Sequence, residues 1–544
     1  MLRPNVPPPP HYYADNLTRL LDTVARQYSD ILDTPELARL EQVRGLGVDA
    51  LRLYARLLTR RGPLLRADTL GYREVADTTA ALARLAEAEL INRNPAVPGD
   101  RVLARLTLPE IRAAFPELPA GCRGLRKAAL VAATAARYPE PVLRSRLAGV
   151  CAWLLLTDPD WLTAMRILFF GDLRQDFSTF VLEDLGVVRY EPYPLDPKRR
   201  LFANRTELAR YLELLRIKGE VRRLHQSWHE HQLLSHVEHL WHPESNRLLE
   251  RQRGRLLNEI GREAERHCAF DLALTAYGRA DREPGRERRV RILHRLGDRD
   301  GVSQVLKAIE GAPHSAGEQH FARQFAARAG LAPKRGQRIV ELQLRLAAPP
   351  ADLEAAALTA WLRNGGVGAH LENRFPLGLL GLAFWDIVFM PVPGMFTHPY
   401  QSAPLDLYWP DFRQTRATAI ARRFDELRRN HVEDALRVRL RETYRAKYGV
   451  SNALMAWSKF PAGFLEQVLR AVPRGHLLAM FDFMLDDLHQ TRTGFPDLVL
   501  CFGPGSYRLV EVKGPGDQLR REQRLWFELF ARVGIPASVL RVTW

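Results

Sequence analysis

Asp497, Glu511 and Lys513 have the types and spacing that phosphodiester hydrolysis requires. They fall in TRTGFPDLVLCFGPGSYRLVEVKGPGDQLRREQRLWFELFARVGIPASVLRV, near the end of a 544-residue chain. Two carboxylates offer the hard oxygen ligands that Mg²⁺ or Mn²⁺ prefer. A divalent ion held there activates water and neutralises charge on a phosphoryl oxygen. A lysine beside them can orient that water or stabilise the pentavalent phosphate. A lone PD or ExK recurs by chance. A PD, thirteen residues and then EVKG, set between apolar runs and followed by a Gln-bearing helix, is far more specific. The bland alternative is a surface aspartate, a same-face Glu–Lys pair and a tight turn. It fits less well, because apolar residues flank these groups closely and lysine is scarce in the chain.

Local pattern indicates which elements position these side chains. Residues 498 to 502 are apolar and suit a buried strand, GPGS is a turn, and Tyr507 to Lys513 is a second strand of a hairpin. Glu511 and Lys513, at i and i+2, then share one face, while Val510 and Val512 take the other. Asp497 opens the first strand and can lie beside Glu511. Asp517 is expected to cap a helix running to about Arg532, and Ala537 to Val542 to form a last strand of a mixed α/β core.

The composition agrees with this chemistry. A formal net charge of +16 favours a polyanion, so nucleic acid is the leading partner. Arginine carries most of the positive charge; a GC-rich genome explains Arg in place of Lys but not the surplus itself. The four cysteines, Cys122, Cys151, Cys268 and Cys501, form no CxxC pair, which argues against a disulfide framework or zinc finger and suits a reducing cytosol. The N-terminus has no apolar signal region. The stretch Phe375 to Met390 is too short to span a bilayer and reads as a buried helix, so no membrane partner is expected. The expected location is cytoplasmic: nucleoid-associated in a prokaryote, nuclear in a eukaryote.

Upstream the pattern is helical, and the length calls for several domains. Residues 1–100 suit a winged-helix-like DNA-binding region, with a plain helical bundle as the alternative. Leu51, Tyr54, Leu57 and Leu58 form a helical stripe there, ending in Arg60 and Arg61. Within 101–140, Thr107 and Glu110 have capping-box spacing, and a Gly-containing turn leads to a helix opened by Arg126 and Lys127. This segment resembles the SAP motif, whose cations and amides meet phosphates; an ordinary helical hairpin is the alternative. Residues 141–245 are a helical connection containing His225, His229, His231, His236, His239 and His242. His225 and His229 are at i,i+4, but packing explains these histidines better than a metal does. Residues 246–368 suit degenerate TPR-like repeats, with Ala269, Ala273, Ala276 and Ala280 on one stripe and Phe270, Leu274 and Tyr277 beside it. Residues 369–544 would form the catalytic domain.

GFPDLVL, LVEVKGPGDQL, Gln523 and Trp526 resemble the VRR-NUC domain of the PD-(D/E)XK superfamily. Over nearly its whole length the chain resembles the Fanconi-associated nuclease family. HYYADNLTRLLDTV, LRLYARLLTRRG, the SAP-like and TPR-like regions and GLAFWDIVFM, then APLDLY, occur in the family's order. The resemblance implies mostly α-helical N-terminal and middle regions followed by an α/β PD-(D/E)XK nuclease core. It implies a structure-selective nuclease cutting near 5′ flaps, with 5′→3′ exonuclease activity, in interstrand crosslink repair. The implied metal ligands are Asp497, Glu511, the Val512 carbonyl and, on an upstream helix, Glu372. Lys513 is the implied catalytic lysine, and Gln523 helps position DNA or a water. Arg492, Arg520, Arg521 and Arg524 join Arg60, Arg61, Arg126 and Lys127 as candidate DNA contacts. The family's basic pocket for a 5′-phosphate has no evident counterpart: His489 and Arg492 precede the PD motif, and only Arg520, Arg521 and Arg524 follow EVK. The expected partners are branched DNA and a divalent metal, and the expected state is a monomer or a DNA-induced dimer. An inactive DNA-binding repair scaffold is the alternative function; intact acids at 372, 497 and 511 speak against it. A sequence-specific nuclease is a weaker third, for want of a base-reading module.

Overall fold

Short amphipathic stretches punctuated by Asp, Thr, Asn and Ser caps give this chain its many short helices. The computed structural model describes residues 11–60, 62, 64–122, 124–173, 188–224, 228–332, 339–363, 365–429 and 434–544. They divide into two compact units, Met1–Val188 with Leu195–Arg205, and Arg189–Pro194 with Thr206–Trp544.

In the first unit the helices Tyr12–Tyr28, Thr34–Arg44 and Val48–Leu58 precede a small antiparallel sheet of β1 (Leu64–Arg66), β2 (Ile91–Arg93) and β3 (Trp153–Leu156), in the order β1-β3-β2. The third helix buries Ala50, Leu53, Tyr54 and Leu57, whereas Leu51 and Leu58 are only half-buried. The buried face is thus turned from the expected stripe, because this helix packs on both Tyr12–Tyr28 and Thr78–Glu87. β3 supplies the central strand, so the SAP-like segment is looped out between two strands of one sheet. In that segment Thr107 and Glu110 form a reciprocal capping box, with the Thr107 N–H donating to Glu110 at 2.6 Å. Arg66 pairs with Glu110 at 2.7 Å and is the main cause holding that carboxyl down at about 2.

In the second unit, consecutive helices Arg247–Arg266, Phe270–Ala280, Gly285–Arg295, Arg299–Gly311 and Ala316–Arg328 each pack on the next. Small residues permit close approach. Ala273, Ala276 and Ala280 are buried, and a Cβ on Gly261 would lie 2.8 Å from the Tyr277 ring. Ala269 sits at the N-cap rather than within its helix. The histidines divide by partner: His236 lies 3.4 Å from Glu220 and His239 2.8 Å from Glu213. Among the described residues no His, Cys, Asp or Glu cluster is arranged as a metal cage; His225 lies outside them.

The hairpin that carries Glu511 and Lys513 belongs to a five-stranded sheet ordered β4-β8-β7-β6-β5. Its strands are β4 (Glu341–Arg345), β5 (Val367–His370), β6 (Leu498–Gly503), β7 (Ser506–Lys513) and β8 (Ala537–Thr543). β4 and β5 fall in 246–368, read from sequence as helical repeats. Their ladder partners β8 and β6 are far along the chain, so local periodicity does not reveal them. Val510 and Val512 pack with Leu498, Leu500, Leu540, Val542 and Ala357 on one face, as the alternation requires. The apolar stretch after Glu372 is the buried helix Arg374–Ala383 followed by the short helix Trp385–Val388. No described helix is long and apolar enough to cross a membrane.

Candidate active site

β6 and β7 run antiparallel with Leu498 opposite Val510, so the register carried one step further sets Asp497 opposite Glu511. Asp497 Oδ2 accepts the Val512 N–H at 2.8 Å. Glu511 is 1% exposed, and its Oε1 takes both the Lys513 ammonium, at 2.8 Å, and the Gln523 amide N–H. Its other oxygen, Oε2, is buried and has no hydrogen-bond partner among the described residues. Such an orphan acceptor calls for a missing partner, because a buried carboxylate oxygen is costly to leave unpaired.

Burial pushes the Glu511 carboxyl up to about 7, with the neighbouring Asp497 carboxylate adding to the rise against Lys513 and Arg520. Burial likewise raises Asp497 to about 6. The Val512 N–H, Lys513 and His370 oppose that rise, and Glu354 adds to it. Two desolvated acids thus face a single close ammonium. A divalent cation is the group that would let both ionise.

Each side chain owes its place to a nearby fixture. Phe495, of GFPD, wedges between Phe375 and Trp526, with ring centroids 5.5 and 4.9 Å away. Gly494 has φ +85, and a Cβ there would lie 2.6 Å from the backbone carbon of Glu522. That glycine lets the PD loop lie against the start of the helix Arg521–Val533. Gln523, at the third position of this helix, accepts the Arg520 N–H at 2.9 Å and thereby points its amide N–H at Glu511. Its amide is thus committed to Glu511 and the helix cap rather than to open space. Asp517 does not cap the helix, which begins four residues later. Its carboxylate accepts the Gly514 N–H at 3.0 Å and closes the GPG turn.

Glu372 is not helical. It occupies the turn between β5 and the helix Arg374–Ala383 at φ +49, a conformation that L residues seldom adopt. Its N–H and that of Leu371 donate to the Asp497 carbonyl at 3.2 and 3.1 Å, tying the turn to the PD motif. Its carboxylate meets His370 Nε2 at 3.0 Å. His370, on the strand beside the PD motif, and Glu354 both act electrostatically on Asp497, and the motif reading missed both. The His-x-Glu spacing closing a short strand was the available signal for His370.

The candidate DNA contacts separate. Arg126 and Lys127 are exposed at the start of the helix Lys127–Arg137. Arg520 and Arg524 are exposed beside the catalytic helix, and Arg492 lies 4.7 Å over the Tyr408 ring. Arg60 is engaged internally with the Tyr72 hydroxyl at 2.8 Å and with Thr69, and Arg521 with Glu287 at 2.7 Å. Arg61 lies outside the described residues.

Comparison with known proteins places the whole chain in a family. The VRR-NUC domain family matches residues 432–544, and the FAN1 HTH domain family matches residues 11–92. A Pseudomonas aeruginosa Fanconi-associated nuclease 1 homolog is 32% identical over 564 residues, spanning 99% of this chain and 96% of its own. The chain belongs to the Fanconi-associated nuclease family. It is therefore a nuclease, a DNA-binding hydrolase with its catalytic domain at the C-terminal end. An Arabidopsis thaliana homolog in the same family is 25% identical over 98% of this chain and 67% of its own length. A crystal structure of paFAN1 bound to DNA with a two-nucleotide 5′ flap and a gap matches with a TM-score of 0.87. That match covers 99% of each chain at 30% identity.

Proposed function

We propose that the chain is a divalent-metal-dependent, structure-selective nuclease that cuts DNA near 5′ flaps. It degrades 5′→3′ and serves DNA repair, including that of interstrand crosslinks. The observation that carries this reading is the buried Asp497–Glu511–Lys513 group with one Glu511 oxygen unpartnered. The 5′-flap DNA bound by the structurally similar paFAN1 supports the choice of substrate.

Asp497, Glu511 and the Val512 carbonyl would hold Mg²⁺ or Mn²⁺, and Glu372, whose carboxylate meets His370 and is not gathered with the other two acids, would join them by leaving His370. All are hard oxygen donors, and the unpaired Glu511 oxygen fits a cation. When bound, the ion acidifies a water and offsets charge on the phosphoryl oxygens. Lys513, anchored by Glu511, presents its ammonium to the charge that develops on the phosphate. Gln523 orients the Glu511 carboxylate from the helix side. Arg126, Lys127, Arg492, Arg520 and Arg524 supply backbone contacts, and the winged-helix, SAP-like and TPR-like regions hold the branched duplex. The enzyme acts as a monomer or as a dimer assembled on DNA.

Cleavage rates on matched 5′-flap, 3′-flap and plain duplex substrates test the selectivity. The 5′ flap is expected to be cut fastest, with incision near the junction. Equal rates on all three would leave a nuclease without structure selectivity.

A further inference from the structure

The helix that delivers Gln523 to Glu511 is held at its first residue from outside the catalytic domain. Arg521, the first residue of Arg521–Val533, places its Nη2 2.7 Å from the carboxylate of Glu287 in the first turn of Gly285–Arg295, a charge contact whose angles are not those of a hydrogen bond. Glu287 is 7% exposed, and Arg521, about one-third exposed, is the cation beside it. Two residues beyond Arg521, Gln523 bridges the Arg520 N–H and Glu511.

A second tie reaches the other side of the site. Gln490, on the short helix Leu488–Thr491 ahead of the PD motif, donates to Glu283 at 2.5 Å and to Ser315 at 2.9 Å. A Cβ on Gly317 would fall 1.7 Å from Gln490 Oε1 and 2.9 Å from Arg521 Nη2, so the helix Ala316–Arg328 is seated against both ties. The Trp526 indole N–H closes the loop by donating to the Thr493 carbonyl at 3.1 Å. The helices upstream of the sheet thus grip both segments that bring Asp497 and Gln523 to the metal-holding acids.

We propose that Glu287 is a positioning residue of the nuclease site. Its ion pair with Arg521 sets the first turn of the catalytic helix, and through it the Gln523–Glu511 hydrogen bond. The proposal rests on the reading of Gln523 as an active-site residue. It assigns Arg521 to positioning rather than to DNA. The Arg521 side chain is about one-third exposed, so its pair with Glu287 contributes little to overall stability. A small displacement of an active-site group nonetheless has large leverage on rate.

The test compares single-turnover cleavage of a 5′-flap duplex at saturating enzyme for wild type, Glu287→Gln, Gln523→Ala and the double variant. Melting temperature and DNA affinity in Ca²⁺ are read in parallel. Glu287→Gln is expected to slow cleavage by roughly tenfold, with affinity and melting temperature near wild type. In the double variant it should cost nothing beyond Gln523→Ala alone, because both act through one hydrogen bond. An unchanged rate for Glu287→Gln, or independent multiplying effects in the double variant, overturns the proposal. Wild-type cleavage by Gln523→Ala removes the reading of Gln523, and the proposal with it. If Glu287→Gln melts early, Arg521→Gln gives the same readout. Weaker DNA binding at an unchanged saturated rate would then make Arg521 a DNA contact and overturn the positioning role.

Discussion

Asp497→Ala is expected to abolish cleavage, with a rate loss of at least about a thousandfold, while DNA affinity stays near wild type. Asp497 is one of only two carboxylates in the buried hairpin pair, and its Oδ2 also fixes the Val512 N–H next to Glu511. Its removal takes away a proposed ligand for the ion and the neighbour whose charge raises Glu511. The candidate DNA contacts lie on other segments, so binding should survive. Gel-shift affinity in Ca²⁺, measured beside the cleavage rate, checks both halves. Weakened binding with residual cutting would remove Asp497 from the catalytic group.

Asp406→Ala is expected to destabilise the second unit by about 3–5 kcal/mol. The Asp406 carboxylate is fully buried and takes two hydrogen bonds from Arg416, each 2.9 Å long. Arg416 is itself 1% exposed, donates to the Ile387 carbonyl and stacks over Phe412 at 4.1 Å. Removal of the acid strands a guanidinium that the surrounding apolar residues cannot solvate. The urea unfolding midpoint, at an unchanged slope, reports the loss. A change below about 1 kcal/mol would mean that water reaches the pair. Replacing both partners with apolar residues should cost far less than the single change, because no charge remains buried.

The buried Asp406 that pairs with Arg416 lies inside a conspicuous motif. APLDLY and GLAFWDIVFM stand out as family signatures, yet the acids within them are taken up by ion pairs. Asp406 holds Arg416, and Asp386 holds Arg423 at 2.7 Å and Arg439 at 2.5 Å. Sequence alone does not separate a conspicuous catalytic acid from a conspicuous ion-pair acid, since both sit among apolar residues. The hairpin acids were legible because strand alternation and a tight turn are local and together fix which side chains share a face.

The less legible features are nonlocal. β4 lies in a stretch of helical pattern and is a strand only because β8 lies parallel to it from the far end of the chain. Glu372 sits in a left-handed turn that depends on hydrogen bonds to the Asp497 carbonyl. His370 gains meaning only from the register that sets it opposite Leu498, next to the PD aspartate. Arg521 looked like one more cation in a basic run until Glu287 took it.

We propose that the Asp497–Glu511–Lys513 group hydrolyses DNA through a bound divalent ion. Incision of an end-labelled 5′-flap duplex by the wild-type chain, first in chelator and then with Mg²⁺, Mn²⁺ or Ca²⁺ restored, tests it most directly. The expected result is no product in chelator, incision near the flap junction in Mg²⁺ or Mn²⁺, and binding with little cutting in Ca²⁺, a larger ion with less strictly octahedral coordination. Full cutting in chelator, or binding without cutting in either Mg²⁺ or Mn²⁺, would contradict it.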